Sequence, residues 1–458
     1  MRILMTGATG LIGRELGKLL VERGDTPVCL VRDVAAARRR LPFPAECHAW
    51  DHRREVPAAA LAGVEAVVHL AGEPVADARW TPAHQALIRD TRVLGTRRVV
   101  QAVIEHGMQL KTFVHGSATG GYGDCGDEVL DAHSARGSGF LADVVADWEA
   151  ELQPLARDRP DVRVPIVRTG IVLARQGGAL AQMLPLFRAG AAGRLGDGRQ
   201  WMSWIHLDDI VRLFVHALDA GVSSVLEGVA PHPATNAQFT AAFARALGVI
   251  ENLPVPAAAI RALWGERAQI VLGSTRVQPR ATLASGFRFG HETVEHALDD
   301  LLSPLRGGVF LRVWEQWLPR PATQIWPFFG DANNLEEITP PLLHFKVLGM
   351  STPTIGAGTR IDYRLRINGV PVRWQTLIDA WDPPRRFSDT QAKGPYSLWH
   401  HTHEFLALGA GTLMRDTVRY RLPAGWLGLV AGGWKVALDV ESIFDYRARR
   451  IDERFGTR

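Results

Sequence analysis

Cysteine is scarce: Cys29, Cys47 and Cys125 are the three in 458 residues. An odd number at wide spacing excludes a disulfide framework and offers no paired metal-ligand motif, so a reducing, cytoplasmic setting is expected. Long apolar runs are missing as well. No uninterrupted stretch reaches the ~18 residues that suggest a membrane helix, and the nearest approach, Trp426 to Val440, is broken by glycines and Lys435. With a strand expected from residue 2, no secretory leader is expected either. Neither sign of charge dominates, the net charge being +4. The densest basic cluster, Arg38-Arg39-Arg40, is too short for a nucleic-acid-binding face. What remains, 47% hydrophobic and 22% charged residues, is the make-up of an ordinary globular protein, long enough for two or three domains.

What is present begins at once. Met1 to Asp33 runs as an apolar segment (Ile3, Leu4, Met5), the turn Thr6-Gly7-Ala8-Thr9-Gly10-Leu11-Ile12-Gly13, a helical stripe (Ile12, Leu16, Leu19, Leu20) and a second apolar run from Val28 to Val31. That order predicts strand, tight turn, helix, strand. Gly7 permits the turn, Gly10 lets backbone approach a pyrophosphate, and Gly13 lets the helix pack closely, while the helix N-terminus offers N–H groups to the anion. Thr6, Thr9, Leu11 and Ile12 complete the expected cradle. After the second strand, Arg32 suits a ribose 2′-phosphate and so NADP(H), whereas the adjacent Asp33 would suit a free hydroxyl and NAD. Asp51, at the end of a third strand, is placed to meet the adenine edge or is only a turn aspartate. Val64 to Gly72 reads as a buried parallel strand ending in the small-residue turn Leu70-Ala71-Gly72, which leaves room for a dinucleotide.

These segments, with Asp90-Thr91-Arg92-Val93-Leu94-Gly95-Thr96, Ser117-Ala118-Thr119-Gly120-Gly121-Tyr122-Gly123 and Trp204-Ile205-His206-Leu207-Asp208-Asp209, resemble the extended short-chain dehydrogenase/reductase (epimerase/dehydratase) superfamily. Gly72-Glu73-Pro74, Arg79-Trp80, Gln200-Trp201-Met202-Ser203-Trp204 and Arg276-Val277-Gln278-Pro279 are similar to its atypical branch of NADP-binding "epimerase family" proteins. The resemblance covers about the first 300 residues. It implies a doubly wound parallel α/β Rossmann sheet with a small substrate lobe, and NADP(H) bound with help from Leu70, Ala71, Gly72 and Arg92. There are departures. The superfamily's Tyr-x-x-x-Lys helix supplies a proton and a charge, but Phe140 and Val144 stand at those positions. The helper hydroxyl position is Ala118, flanked by Ser117 and Thr119, and Arg92 stands where asparagine is expected.

A replacement proton donor is therefore expected in Ser117 or Tyr122, with Glu73, Trp201 and His206 as substrate contacts. Plainer readings stand beside these: Tyr122 as a pocket wall, Arg92 as a partner of Glu73, His206 as a helix cap, Trp201 and Trp204 as packing. Two functions stay open. One is an NADP(H)-dependent oxidoreductase or epimerase-like enzyme for a small carbonyl substrate, hydrophobic if a second domain captures it. The other is a non-catalytic NADP(H)-binding regulatory or ligand-binding protein.

A boundary is expected at the linker 303–308, between a cofactor domain over 1–302 and a second domain over 309–458. In the second, Ile361, Tyr363, Leu365 and Ile367 alternate with charged residues before Asn368-Gly369 and a further alternating run, a hairpin pattern. Val436, Val440, Phe444, Ala448, Ile451 and Phe455 form a stripe at helical spacing. This pattern, with the phrase Gly394 to Phe405, resembles the START-like helix-grip (SRPBCC) superfamily, which implies an α+β domain enclosing a hydrophobic ligand. Trp399, His401, His403 and Phe405 share one strand face, lining a pocket or facing solvent. No metal centre is expected, because spacing identifies no third ligand. No nucleic-acid or membrane partner is expected, and oligomeric state is left open.

Overall fold

The computed structural model describes residues 1–251, 253–367, 369–423 and 425–456, with no side chains described for 424–434. The chain divides into two compact units, Met1–Arg38 with Ala45–Ser303, and Arg39–Pro44 with Pro304–Arg458.

The first unit is built on seven strands: β1 (Arg2–Thr6), β2 (Thr26–Val31), β3 (Glu46–Ala49), β4 (Ala66–His69), β5 (Thr112–Ala118), β6 (Ile166–Thr169) and β7 (Val225–Gly228). They pair in parallel in the order β7-β6-β5-β4-β1-β2-β3. Central strands of such a sheet are covered on both faces, so their sequences are apolar runs without alternation. Ile3, Leu4 and Met5 are fully buried accordingly. From β1 the chain builds outward through β2 to β3, then crosses to β4 on the other side of β1. The strand order reverses there, between the carboxyl ends of β1 and β4, which is the usual ligand position in an open α/β sheet.

The helices follow local chemistry. α1 (Leu11–Glu22) buries Gly13, Leu16, Gly17 and Leu20 along one face. α2 is Val34–Arg40. α3 (Pro82–His106) starts where the Thr81 side chain accepts the His84 N–H at 3.2 Å and proline occupies the first helical position. It contributes Val99 and Val103 to a core with Leu4, Val28, Val67 and Phe113. α4 (Phe140–Ala150) and α5 (Leu207–Asp219) complete the frame used below. Beyond β6, short ladders such as Trp201–Met202 with Ala234–Thr235 form the smaller lobe.

The second unit has seven antiparallel strands: β8 (Phe310–Leu318), β9 (Lys346–Met350), β10 (Arg360–Ile367), β11 (Val370–Asp382), β12 (Arg386–Lys393), β13 (Leu398–Leu408) and β14 (Gly411–Arg421). Their order is β8-β14-β13-β12-β11-β10-β9, followed by the long helix α6 (Gly425–Phe455). Ile367 pairs with Val370 as the hairpin pattern requires, although Asn368 itself lies outside the described residues. The predicted helical stripe faces the sheet: Val440 and Phe444 pack with Val418 and Tyr420, and Ile451 and Phe455 with Phe405 and Met414. The expected linker is two helical turns over Ser303–Gly308, interrupted at Arg306 and Gly307.

Candidate functional site

Gly7 has φ +68°, and a Cβ there would lie 2.8 Å from the Leu70 carbonyl carbon and oxygen. The ends of β1 and β4 therefore meet backbone to backbone, which no larger residue allows. Thr6 fastens them: its Oγ1 accepts the Leu70 and Ala71 N–H groups, both at 3.0 Å. The Thr6 hydroxyl proton then goes to His69 Nδ1 at 2.8 Å, which places the His69 proton on Nε2, donating to Thr96 Oγ1 at 2.9 Å. Trp148 Nε1 donates to the same Thr96 oxygen at 2.7 Å. Burial holds His69 and His115 neutral, pushing His115 down to about 3. Thr6, expected in the cradle, is fully buried and shapes it from beneath.

At Gly13 an added Cβ would fall on the Gly7 carbonyl oxygen and 2.7 Å from Ala8 Cα, so the close packing this glycine allows is of the helix against the turn itself. The amino end of α1 is bare: Gly10 is its N-cap, no side chain caps it, and no acidic residue lies in its first turn. Uncapped N–H groups at the positive end of a helix dipole form an anion site. Thr9, Gly10, Leu11 and Ile12 surround it, Gly10 exposed and the other three partly so. Leu11 also packs under Gly177.

At the end of β2, Arg32 is exposed. Asp33 is occupied, its Oδ1 accepting the Ala36 N–H at 2.9 Å to cap α2. Asp51 sits in a turn, with Oδ1 accepting the Arg53 N–H at 2.8 Å and Oδ2 3.3 Å from Arg54 Nε. Arg92 lies against Gly72 under the β4 turn, where Nη1 donates to the Glu73 carbonyl at 2.8 Å and to the Ile88 carbonyl at 3.1 Å. Burial lowers its pKa to about 10, against the pull of the Glu73 charge.

Phe140 packs edge-on against Trp80 and Val144 is fully buried, so neither proton nor charge arises at the Tyr-x-x-x-Lys positions. Ser117 and Tyr122 belong to a buried network instead of a free surface. Ser117 Oγ donates to Glu149 Oε1 at 2.6 Å. Glu149 receives both arms of Arg168, at 3.0 and 2.9 Å, and Arg136 at 2.8 Å. Arg168 Nη1 also donates to the Tyr122 hydroxyl at 2.9 Å, and that hydroxyl donates to the Asp131 carbonyl at 2.9 Å. Burial raises the Tyr122 pKa despite Arg168. Glu149 and Arg168 were missed as functional residues. Their signals were an acid ending the α4 helix and an arginine inside an otherwise apolar parallel strand. Among the described residues, the hydroxyl of Thr119, just beyond β5, makes one long contact, 3.5 Å to the Thr169 carbonyl.

The substrate candidates separate. Glu73 stays at the β4 turn, and among the described residues its carboxylate has no hydrogen-bond partner. Trp201 donates to Asp127 at 2.8 Å and carries Arg276 over its ring, while Trp204 is wholly buried. His206 takes the plainer role: its Nδ1 accepts the Asp208 N–H at 3.1 Å and caps α5, and its ring stacks on His291 at 3.8 Å. Its Nε2 is 3.5 Å from Asp300.

In the second unit, His401 and His403 face inward, each 5% exposed, which overturns the solvent-facing alternative. The pairing of β12 with β13 sets Asp389 opposite His401, and that of β13 with β14 sets Asp416 opposite His403. Burial lowers His401 to about 4 and also lowers His403, and it raises Asp389 to about 6. Burial opposes ionisation of Asp416 too, but His403 and His401 outweigh it and hold the carboxyl well below its ordinary range.

The family model described as "NAD dependent epimerase/dehydratase family" matches residues 3–227, and a "Domain of unknown function (DUF1731)" matches 255–301. An epimerase family protein of Mycobacterium tuberculosis is 38% identical over 299 residues, covering 65% of this chain and 96% of that one. The human epimerase family protein SDR39U1 is 35% identical over 308 residues, 66% of this chain and 100% of that one. A crystal structure of the human protein with NADPH superposes with a TM-score of 0.59 at 32% identity, covering 66% of this chain and 99% of that chain. A nucleoside-diphosphate sugar epimerase from Corynebacterium glutamicum gives 0.54 at 31%, covering 66% and 58%. UDP-glucuronic acid 4-epimerase from Bacillus cereus, at 16% identity and 0.54, shares the fold. Among the described residues, no helix is long and apolar enough to cross a membrane. Through its first 300 or so residues, the chain belongs to the epimerase family of the NAD dependent epimerase/dehydratases.

Proposed function

We propose that the first unit binds NADP(H) at the glycine turn and acts on a small carbonyl or hydroxyl substrate beside the β4 turn. The observation that carries this is the bare α1 amino end after β1, together with an exposed Arg32 at the end of β2, the strand paired with β1, and Asp33 engaged as a helix cap. The human relative crystallised with NADPH supports the same choice of cofactor. Bound there, the cofactor supplies or accepts a hydride. The chain's own residues do the rest. Leu70 and Ala71, held by Thr6, wall the site, and Arg92 fixes the turn that presents the Glu73 carboxylate. Ser117 and Tyr122, read from sequence as proton donors, act through the Glu149–Arg168 network as positioning residues. Thr119 is the strand-end hydroxyl left to polarise a substrate oxygen.

The second unit is read as a START-like domain that captures a hydrophobic ligand, a reading supported by a sheet laid against a long amphipathic helix with aromatic residues between them.

The test is NADPH consumption by the full chain against a panel of aliphatic and aromatic carbonyl compounds. Turnover with some member is expected; tight NADPH binding with no turnover across the panel would favour the regulatory reading, which the loss of tyrosine and lysine at Phe140 and Val144 motivates. That reading requires a hydrophobic ligand whose affinity changes with cofactor. With an active substrate in hand, Thr119→Ala should lower kcat at least tenfold and leave NADPH affinity unchanged. Ser117→Ala should instead destabilise the fold by about 1.5–3 kcal/mol, the worth of a hydrogen bond to a charged group, as read by urea unfolding.

A further inference from the structure

Two groups of side chains bring three ligand-type atoms within 4.8 Å of one another: His206, His291 and Asp300 in the first unit, and Asp389, His401 and His403 in the second. Proton placement separates them. His206 Nδ1 accepts a backbone N–H, so the neutral ring carries its proton on Nε2, toward Asp300. That nitrogen has no hydrogen-bond partner among the described residues, but because it carries the proton it has no lone pair left for an ion.

The second group is arranged in the opposite sense. Asp416 is a carboxylate and only accepts. His401 Nε2 is hydrogen-bonded to Asp416 Oδ1 at 3.1 Å, and so carries its ring proton. His403 Nδ1 lies 2.6 Å from the same oxygen, off the line of a regular hydrogen bond, and at that distance a proton on the nitrogen is what keeps two lone pairs from meeting. The lone pairs are thereby assigned to His401 Nδ1 and His403 Nε2. These two atoms are 3.6 and 4.0 Å from one oxygen, Asp389 Oδ2. Three electron-pair donors thus face one another in the interior, an arrangement that repels unless something electropositive lies between them. A single proton on Asp389 satisfies one imidazole and leaves the other facing oxygen. A cation satisfies all three.

The spacing fits. Metal–nitrogen bonds of about 2.0–2.1 Å put neighbouring ligand atoms about 3–3.4 Å apart, against 3.6 and 4.0 Å from Asp389 Oδ2 here, a difference that side-chain rotation can close. Carboxylate-anchored histidines are the usual way that ligating imidazoles are oriented and kept in one tautomer, and Asp416 anchors both. A second observation also points to a missing ligand. Arg447, on α6, is 8% exposed, and among the described residues its Nε and Nη1 are buried without a hydrogen-bond partner. It is near enough to feel the charges of Asp416 and Asp389.

We propose that His401, His403 and Asp389 bind a first-row divalent cation of the zinc or ferrous type, with Asp416 orienting both imidazoles and an open coordination position left for water or an anion near Arg447. Two imidazoles and one carboxylate suit these ions and not magnesium or calcium, which prefer all-oxygen sets. The third ligand is invisible in the sequence because strand pairing, not spacing, delivers it.

The experiment uses the full chain, stripped with a chelator and then loaded separately with Zn²⁺, Co²⁺ and, anaerobically, Fe²⁺, with bound metal counted by mass spectrometry after desalting. About one ion per chain is expected in the wild type and in His291→Gln, with affinity at least tenfold lower in Asp389→Asn and His403→Gln. Wild-type protein that retains no ion, a His291→Gln variant that loses it, or an Asp389→Asn variant that holds it unchanged would each overturn the proposal. Should the variants fail to fold, the wild-type Co²⁺ spectrum decides. Intense visible bands of a four- or five-coordinate nitrogen–oxygen site are expected, and the weak spectrum of the hydrated ion overturns the site.

Discussion

Glu149→Ala is expected to destabilise the first unit by about 3–5 kcal/mol, the cost of leaving a buried guanidinium without its carboxylate. Arg168 and Glu149 are 10% and 4% exposed at their side chains. Removing the acid strands Arg168, frees Ser117 Oγ of its acceptor and leaves Arg136 unpaired, so several interactions fail together. Replacing both members of the pair should cost less than the sum of the single changes. Glu149→Met with Arg168→Met removes both charges and leaves an apolar pair of similar volume, and a double-mutant cycle in urea reads the difference. The pH dependence follows from the same geometry. Burial would raise the Glu149 pKa, but Arg168, Ser117 and Arg136 outweigh it, and the folded value lies below the ordinary 4.5. A carboxylate with a depressed folded pKa contributes stability that is present above the unfolded value and lost as pH falls through the folded one. Acid unfolding of the wild type should therefore show a loss below pH 4.5 that Glu149→Gln lacks.

Gly7→Ala is expected to reduce NADPH affinity at least a hundredfold while the second unit keeps its fold. The left-handed backbone conformation alone costs an L-residue roughly 1–2 kcal/mol. The methyl group would also lie 2.8 Å from the Leu70 carbonyl group, which Thr6 pins through Leu70 and Ala71 and which cannot retreat without breaking those bonds. The carboxyl ends of β1 and β4 would be forced apart where the dinucleotide is proposed to lie. Titration calorimetry with NADPH, alongside near-ultraviolet circular dichroism of the tryptophan-rich second unit, checks both halves of the expectation. Unchanged affinity would mean that the turn has no part in cofactor binding.

Local features of this fold were legible in the sequence because they are set by neighbours along the chain. The glycine turn, the α1 face, the β1 and β2 runs and the alternation of β10 and β11 all follow from periodicity and from what glycine permits. The sites depend on contacts that sequence order hides. Ser117 and Tyr122 looked like free hydroxyls because Glu149, 32 residues from Ser117, and Arg168, 46 from Tyr122, are brought to them by strand order and helix packing. Asp33 and Asp51 looked available for the cofactor because a carboxylate committed to a cap or turn has the same one-letter code as one that is free. His206 was placed in the substrate region for the same reason, and its Nδ1 turned out to hold a helix N-terminus. In the second unit the histidine pair was visible, whereas its carboxylates arrive by pairing across β12, β13 and β14.

The proposed function requires the bare helix end and Arg32 together to select NADP(H). Calorimetric titration of the full chain with NADPH and with NADH, repeated for Arg32→Ala, tests it most directly. NADPH should bind the wild type at least tenfold more tightly than NADH, and Arg32→Ala should erase most of that preference while leaving NADH affinity nearly unchanged, since the guanidinium would meet only the 2′-phosphate. Equal affinity for the two cofactors in the wild type, or an undiminished preference in Arg32→Ala, would contradict the account.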